Sequence, residues 1–269
     1  MGKIVGAFAT SHILMSPTGV EARARRVVDG MKEIGRRVAA ARPDVIAIIS
    51  TDHMFNIHMG LQPPFTVGVA DEYVPFGDME IPREPFPGHR AFAEAFVERA
   101  AERGFDLAKA EEYAPDHGVA LPLLFADPER RVPVVPILVN INMQPIPAPK
   151  RCVALAGVLR ESIERDLPAG ARAVILGAGG LSHWLNVPGM GTVNTAFDRE
   201  VLDKFAAGRS GELAALSVAD IVGQGGNGGI EILTWMMTAA TCPGAPGEEI
   251  YYEAMPEWFT GMGGIALRL

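Results

Sequence analysis

The feature that most constrains this chain is a set of short, continuous apolar runs, each closed by a loop of small or polar residues. They lie at 3–8 (KIVGAF), 44–49 (DVIAII), 65–69, 132–139 and 171–176 (ARAVIL). Runs of this length without polar alternation predict strands covered on both faces. Between them fall helix-length amphipathic stretches at 17–42, 88–103, 148–165 and 193–207. The first carries Val20, Val27, Val28, Met31, Ile34 and Val38 at helical spacing. Segment 230–241 reads as an apolar helix after a glycine-rich loop at 223–229. Strands alternating with helices predict the α/β class, a layered fold with a central, mostly parallel sheet flanked by helices. No internal repeat, charge block or Ser/Gly linker divides the chain, so 1–269 is expected to form a single catalytic domain.

Charge removes several function classes. With 24 basic and 32 acidic residues the net charge is −8, the wrong sign for nucleic acid or an anionic membrane surface. No apolar run approaches the roughly 18 residues of a membrane span, and the N-terminus lacks a signal-peptide core. The two cysteines, Cys152 and Cys242, form no C-x-x-C pair, which fits a reduced, cytoplasmic setting.

In open α/β sheets ligands bind beyond the carboxyl ends of the strands. His12, His53 and His183 each follow a strand run by a few residues, and His117 sits in a fourth polar loop, Pro115-Asp116-His117-Gly118. His89 reads as a surface helix start, and His58, five residues after His53, does not share a helical face with it. Asp52 and Asp116 each precede one of these histidines. A carboxylate there either holds an imidazole's tautomer or makes an ordinary Asx-turn. Glu231 is the only acid between Asp220 and Glu248, at an apolar helix start behind several glycines. Such a carboxylate is either buried and paired, or metal-bound, or it is exposed at a helix N-terminus. Two histidines and one carboxylate make the facial triad of non-haem Fe(II) enzymes. Two further histidines would then be acid–base groups beside the metal.

With these pieces in order, the chain resembles the class III (type II) extradiol ring-cleaving dioxygenases, the family of the protocatechuate 4,5-dioxygenase β subunit. The matching pieces are Ser11-His12, Thr51-Asp52-His53, Asp116-His117-Gly118, Gly179-Gly180-Leu181-Ser182-His183 and Glu231. The resemblance implies that His12, His53 and Glu231 bind Fe(II). It implies that His183 is the catalytic acid–base group and that His117 lines the substrate and oxygen site. The implied reaction inserts O2 into an ortho-dihydroxy ring, or an aminophenol or hydroxypyridone analogue, in aromatic-compound catabolism. The implied partners are the aromatic substrate, O2 and further copies of the chain, a dimer or higher. Some family enzymes carry a separate small subunit, and 269 residues leave little room for a fused equivalent. Two other readings share these residues: a zinc-dependent hydrolase, since Zn(II) accepts the same ligands, and a non-catalytic binding protein on the same scaffold.

Local charge bears on the substrate. With 24 basic residues in 269, about six would fall by chance within seven residues of His12, His53, His117, His183 or Glu231; there are none. A substrate carboxylate is usually held by Arg or Lys. The expectation is therefore a neutral ring, held against a wall of Trp184, Phe55, Pro115 and Ile230.

Overall fold

The computed structural model describes residues 1–269. The chain runs through β1 (Lys3–Thr10), α1 (Glu21–Ala41), β2 (Val45–Ser50), β3 (Phe65–Gly68), a short pair β4 (Glu72–Tyr73) and β5 (Phe86–Pro87), α2 (Arg90–Glu102) and β6 (Ala108–Ala110). It continues through α3 (His117–Ala126), β7 (Val134–Val139), α4 (Pro149–Asp166), β8 (Arg172–Ala178), α5 (Thr195–Ala206), α6 (Val218–Gly229), α7 (Ile232–Ala240), β9 (Gly247–Met255) and β10 (Thr260–Leu267). Eight strands form one sheet in the order β6-β3-β7-β2-β8-β1-β10-β9. The central four, β7, β2, β8 and β1, are mutually parallel; β3 and β10 join them antiparallel at either side.

The uninterrupted apolar runs have a direct cause. Successive side chains of a strand point to opposite faces, and both faces here are covered. Val45, Ala47 and Ile49 of β2 enter one core with Phe92 and Phe96 of α2, Leu155 and Leu159 of α4, and Trp235 of α7. Ile46 and Ile48 enter a second core with Met31 and Ile34 of α1 and Val119 and Leu123 of α3. Ile175 of β8 lies opposite Ala7 on one side and Ala47 on the other, so small residues make room for a large one in the middle of the sheet. The α/β class and the flanking helices agree with the sequence reading.

Three elements differ from it. His117 opens a helix where a loop was expected. The α3 sequence HGVALPLLFA is apolar on all sides and almost wholly buried, so it shows no amphipathic period. The glycines at 223–229 are not a free loop; they continue α6 to a break at Gly226 (φ 83°), where the chain turns into α7. The C-terminal hairpin of β9 and β10 was not foreseen. Its inner strand TGMGGIAL is buried throughout yet rich in glycine, which weakens any strand signal.

Packing across the second core makes a test of competing effects. At Gly35 in α1, an added Cβ would lie 2.0 Å from the backbone carbonyl oxygen of Phe125 in α3. Helix propensity favours Gly35→Ala by about 1 kcal/mol, whereas a backbone overlap typically costs about 1–3 kcal/mol. The overlap is with backbone and cannot be relieved by a rotamer, so packing wins. Gly35→Ala is expected to lower the thermal unfolding midpoint; a rise would show that α1 and α3 separate without cost.

Candidate metal centre

Because β1, β8 and β2 are neighbours, their carboxyl ends lie side by side, and His12, His53 and the segment 179–183 leave the sheet there. Glu231 reaches the same place from the start of α7. That helix is pinned to the end of β8: Thr234 Oγ1 donates to the Ala178 carbonyl (3.0 Å) and Trp235 Nε1 to the Gly179 carbonyl (3.1 Å). The Gly180 N–H donates to Glu231 Oε2. Glu231 is 2% exposed. Its two oxygens face His12 Nε2 at 3.4 Å and His53 Nε2 at 3.5 Å. His117 completes the group: its ring stacks on His53 at 4.0 Å, and one ring nitrogen from each of His12, His53 and His117 lies within 4.8 Å of the others.

The carboxylates around these rings are not equivalent. Asp116 Oδ2 accepts from the His53 backbone N–H (2.7 Å) and pairs with His53 Nδ1 (3.1 Å), while Oδ1 caps α3 by accepting from Gly118 N–H (2.9 Å). Asp116 therefore orients His53, not the histidine beside it in sequence. Asp52 makes the turn instead, accepting from Asn56 Nδ2 (2.7 Å) and the Ile57 N–H (3.0 Å). His117 Nδ1 is held at 2.5 Å by Asp78 Oδ2, a residue that sequence reading missed because it lies 39 positions away. His183 Nδ1 lies 2.8 Å from the Leu181 carbonyl, which can only accept, so Nδ1 carries the proton. Its ring is seated between Gly180 and Gly228; a Cβ on Gly228 would fall 1.9 Å from His183 Nε2. That contact is what the glycine-rich run provides. His58 is exposed, and His89 caps α2 by accepting from the Phe92 N–H.

The donor set fits a divalent cation. Ligand atoms about 2.1 Å from one ion sit about 3.0–3.5 Å apart, the spacing found between Glu231 and the two imidazoles. Charge-assisted hydrogen bonds prefer 2.7–2.9 Å, so these contacts are too long for an optimised ion pair. His12 Nδ1 is buried with no hydrogen-bond partner, so nothing in the protein fixes this ring from its Nδ1 side. Burial pushes the His12 imidazole down to about 3, so it is neutral and has one ring nitrogen with a free lone pair. For His53, burial opposes the charge but the neighbouring Asp116 and Glu231 carboxylates overcome it and raise it to about 10. Burial likewise opposes the charge on Glu231, and the neighbouring imidazoles hold its carboxyl well below the usual range.

A partly open cavity lies over this cluster. Its wall corrects the expected one. Ile13, Leu185, Trp258, Phe259 and Thr260 line it together with the histidines and Glu231, and no Lys or Arg does. Trp184 packs on Gly226 instead. Phe55 is 42% exposed and packs on Phe76, Pro115 is buried, and Ile230 is turned into the core. Ile13 and Leu185 lie close in sequence to His12 and His183, but Trp258, Phe259 and Thr260 come from the turn into β10, distant from every histidine, so proximity along the chain was only a partial guide.

A family model described as the catalytic LigB subunit of aromatic ring-opening dioxygenase matches residues 6–263. The 2,3-dihydroxyphenylpropionate/2,3-dihydroxicinnamic acid 1,2-dioxygenase of Photorhabdus laumondii is 26% identical, with 96% of this chain and 95% of the relative covered. The enzyme of the same name from a Rhodococcus species is 28% identical, with 96% of each covered. In fold, the chain is similar to the crystal structure of an uncharacterised Escherichia coli K12 protein, with a TM-score of 0.65 and 15% identity over 98% of this chain and 100% of the other.

The protonation pattern predicts a peaked stability profile for the metal-free protein. His12, depressed on folding, makes stability rise with pH between about 3 and 6.5, because the unfolded chain binds the extra proton. His53, raised on folding, contributes stability that is full below 6.5 and is lost as pH climbs through about 10. The unfolding midpoint should fall above pH 6.5 without metal, and this alkaline decline should vanish with a bound divalent ion, which takes the place of the proton. A metal-free midpoint that rises from pH 6.5 to 9 would remove the imidazolium from the site.

Proposed function

The chain belongs to the family of the catalytic LigB subunit of aromatic ring-opening dioxygenases, and from that premise we propose an Fe(II)-dependent extradiol dioxygenase acting on an uncharged ortho-dihydroxy, aminophenol or hydroxypyridone-type ring. The whole chain acts as one catalytic domain. The observation that carries the reading is the buried Glu231 carboxylate facing two imidazole nitrogens at 3.4 and 3.5 Å beneath an apolar cavity. His12, His53 and Glu231 are the metal ligands, in the two-histidine, one-carboxylate arrangement that leaves adjacent positions open. When bound, Fe(II) supplies redox chemistry toward dioxygen and the positions that a diol chelates.

The protein's own groups do the rest. Asp116 fixes His53 with Nε2 toward Glu231. His183, seated with its Nδ1 proton on the Leu181 carbonyl, has Nε2 free of hydrogen bonds within the protein, and takes a proton from the substrate hydroxyl. His117, lining the cavity beside His53, donates where oxygen and the ring meet. Ile13, Leu185, Trp258 and Phe259 exclude water and sandwich the ring.

The substitutions separate these roles. His12→Ala, His53→Ala or Glu231→Ala should lose bound iron in metal analysis, and Asp116→Ala should weaken iron about 10–100-fold, as partners of metal-bound histidines do. His183→Ala should keep iron and lose turnover by about 10²–10⁴-fold; loss of metal there would make it a ligand. The test of the reaction is anaerobic Fe(II) reconstitution followed by oxygen uptake across catechols, aminophenols and hydroxypyridones, with Zn(II) loading as the inactive control.

Substrate charge is a separate outcome. The relatives are named for 2,3-dihydroxyphenylpropionate, whose side chain ends in a carboxylate, yet no cation lines this cavity. A charge-assisted bond contributes about 1.5–3 kcal/mol, roughly ten- to a hundredfold. A neutral diol should be turned over about as well as its carboxylated counterpart. A preference for the carboxylated ring by tenfold or more would place a cation in the substrate complex.

A further inference from the structure

We infer that Asp78 is a positioning residue that fixes the His117 ring against the cavity. The inference rests on the reading of the site above, in which His117 donates toward oxygen and substrate. Asp78 Oδ2 takes both the His117 ring nitrogen Nδ1, at 2.5 Å, and the His117 backbone N–H, at 3.3 Å. One oxygen thus sets ring and backbone together at the first residue of α3. The other oxygen, Oδ1, is buried with no hydrogen-bond partner. A carboxylate placed for its own stability would not leave one oxygen bare in the interior; this one is committed to the histidine.

The loop that carries Asp78 is built at a cost. Met79 and Glu80, neither of them glycine, follow Asp78 at φ 51° and 60°, and Gly77 precedes it at φ 90°. Backbone strain of this kind persists only where surrounding structure enforces it, and it gathers at functional sites. Enforcement is visible on both sides of Asp78. The Phe76 N–H donates to the Pro115 carbonyl at 2.8 Å, two residues before His117, and the Ile81 N–H closes back on the Asp78 carbonyl at 3.0 Å. Phe76 and Met79 are left 43% and 41% exposed, so the loop is not folded over to bury its own apolar side chains.

The arrangement repeats the one at His53. In each case a carboxylate Oδ2 takes both the backbone N–H and Nδ1 of the same histidine. Asp116 serves a histidine that faces Glu231. Asp78 serves one whose Nδ1 is thereby occupied, leaving Nε2 as the only ring nitrogen for the cavity. Removing Asp116 should therefore disturb metal binding, and removing Asp78 should disturb only the step in which His117 takes part.

The test combines a direct view of the bond with turnover. In the metal-free protein labelled with 15N histidine, His117→Gln identifies the His117 Nδ1 proton by its disappearance. That proton should resonate far downfield in the wild type and be lost or moved upfield in Asp78→Ala. In the iron-loaded enzyme, Asp78→Ala should keep full metal content, lower kcat by about tenfold or more and change KM less than threefold. Asp78→Asn, which keeps an acceptor for Nδ1, should recover much of the loss and guards against a misfolded alanine variant. Added to His117→Ala, Asp78→Ala should cost nothing further, because its effect runs through that ring. A downfield proton that survives Asp78→Ala, or an equal loss of kcat in the His117→Ala background, would overturn the inference. If the bond is seen but His117→Ala turns over at the wild-type rate, the positioning stands and the catalytic role given to His117 falls.

Discussion

A carboxylate buried at 2% exposure with no Lys or Arg in reach is the interaction on which this site depends. An ionised carboxyl in the interior is destabilising by several kcal/mol unless charge and hydrogen bonds compensate it. Glu231 receives the Gly180 N–H and faces two imidazole nitrogens, an arrangement that a bound divalent cation would complete. The surrounding structure follows from keeping it there. The start of α7 must meet the end of β8, so Thr234 and Trp235 bond to the carbonyls of Ala178 and Gly179. The chain entering α7 must pass close to His183, so side chains are missing at Gly226 and Gly228.

Four imidazoles share the site, and the partner of each Nδ1 differentiates them. His53 and His117 are held by carboxylates, His183 by a neutral carbonyl, and His12 by nothing. A carboxylate favours the protonated ring and fixes its direction; a carbonyl fixes direction and tautomer without adding charge. The ring proposed above to take and return the substrate proton, His183, is the one with the neutral partner. The Asp198 carboxylate, fully buried beneath the His183 segment, accepts from the Ser182 N–H at 2.8 Å and from the Tyr252 hydroxyl at 2.8 Å. It steadies the segment through its backbone and leaves the ring free.

Much of this was legible in the sequence because it is local. Continuous apolar runs report strands buried on both faces, and His12, His53 and His183 follow three of them at short range. Parallel neighbours bring those ends together without further information. Glu231 was visible as the lone acid in an apolar stretch. What was hidden depends on contacts across the chain. The α3 helix has no polar face, so it leaves no period. Asp78 and Asp116 each act on a histidine that long-range folding delivers, and Asp116 serves His53 rather than its neighbour His117. The cavity wall of Trp258, Phe259 and Thr260 comes from a turn more than 25 residues after Glu231, which is why the aromatic residues nearest the histidines were poor candidates.

The missing cations also have an electrostatic reason. A divalent ion with the Glu231 carboxylate leaves one positive charge, and a singly deprotonated diol brings the centre to zero, the state a low-dielectric cavity favours. Asp116 and Asp78 each sit at the Nδ1 side of an imidazole, His53 and His117 respectively. An Arg aimed at the open face would leave the empty site strongly positive beside Ile13, Leu185 and Phe259, and would repel the metal before any substrate arrived. A substrate carboxylate without such an Arg would leave the complex at minus one against the same apolar wall. A neutral ring avoids both costs, which is the electrostatic argument for the uncharged substrate proposed above.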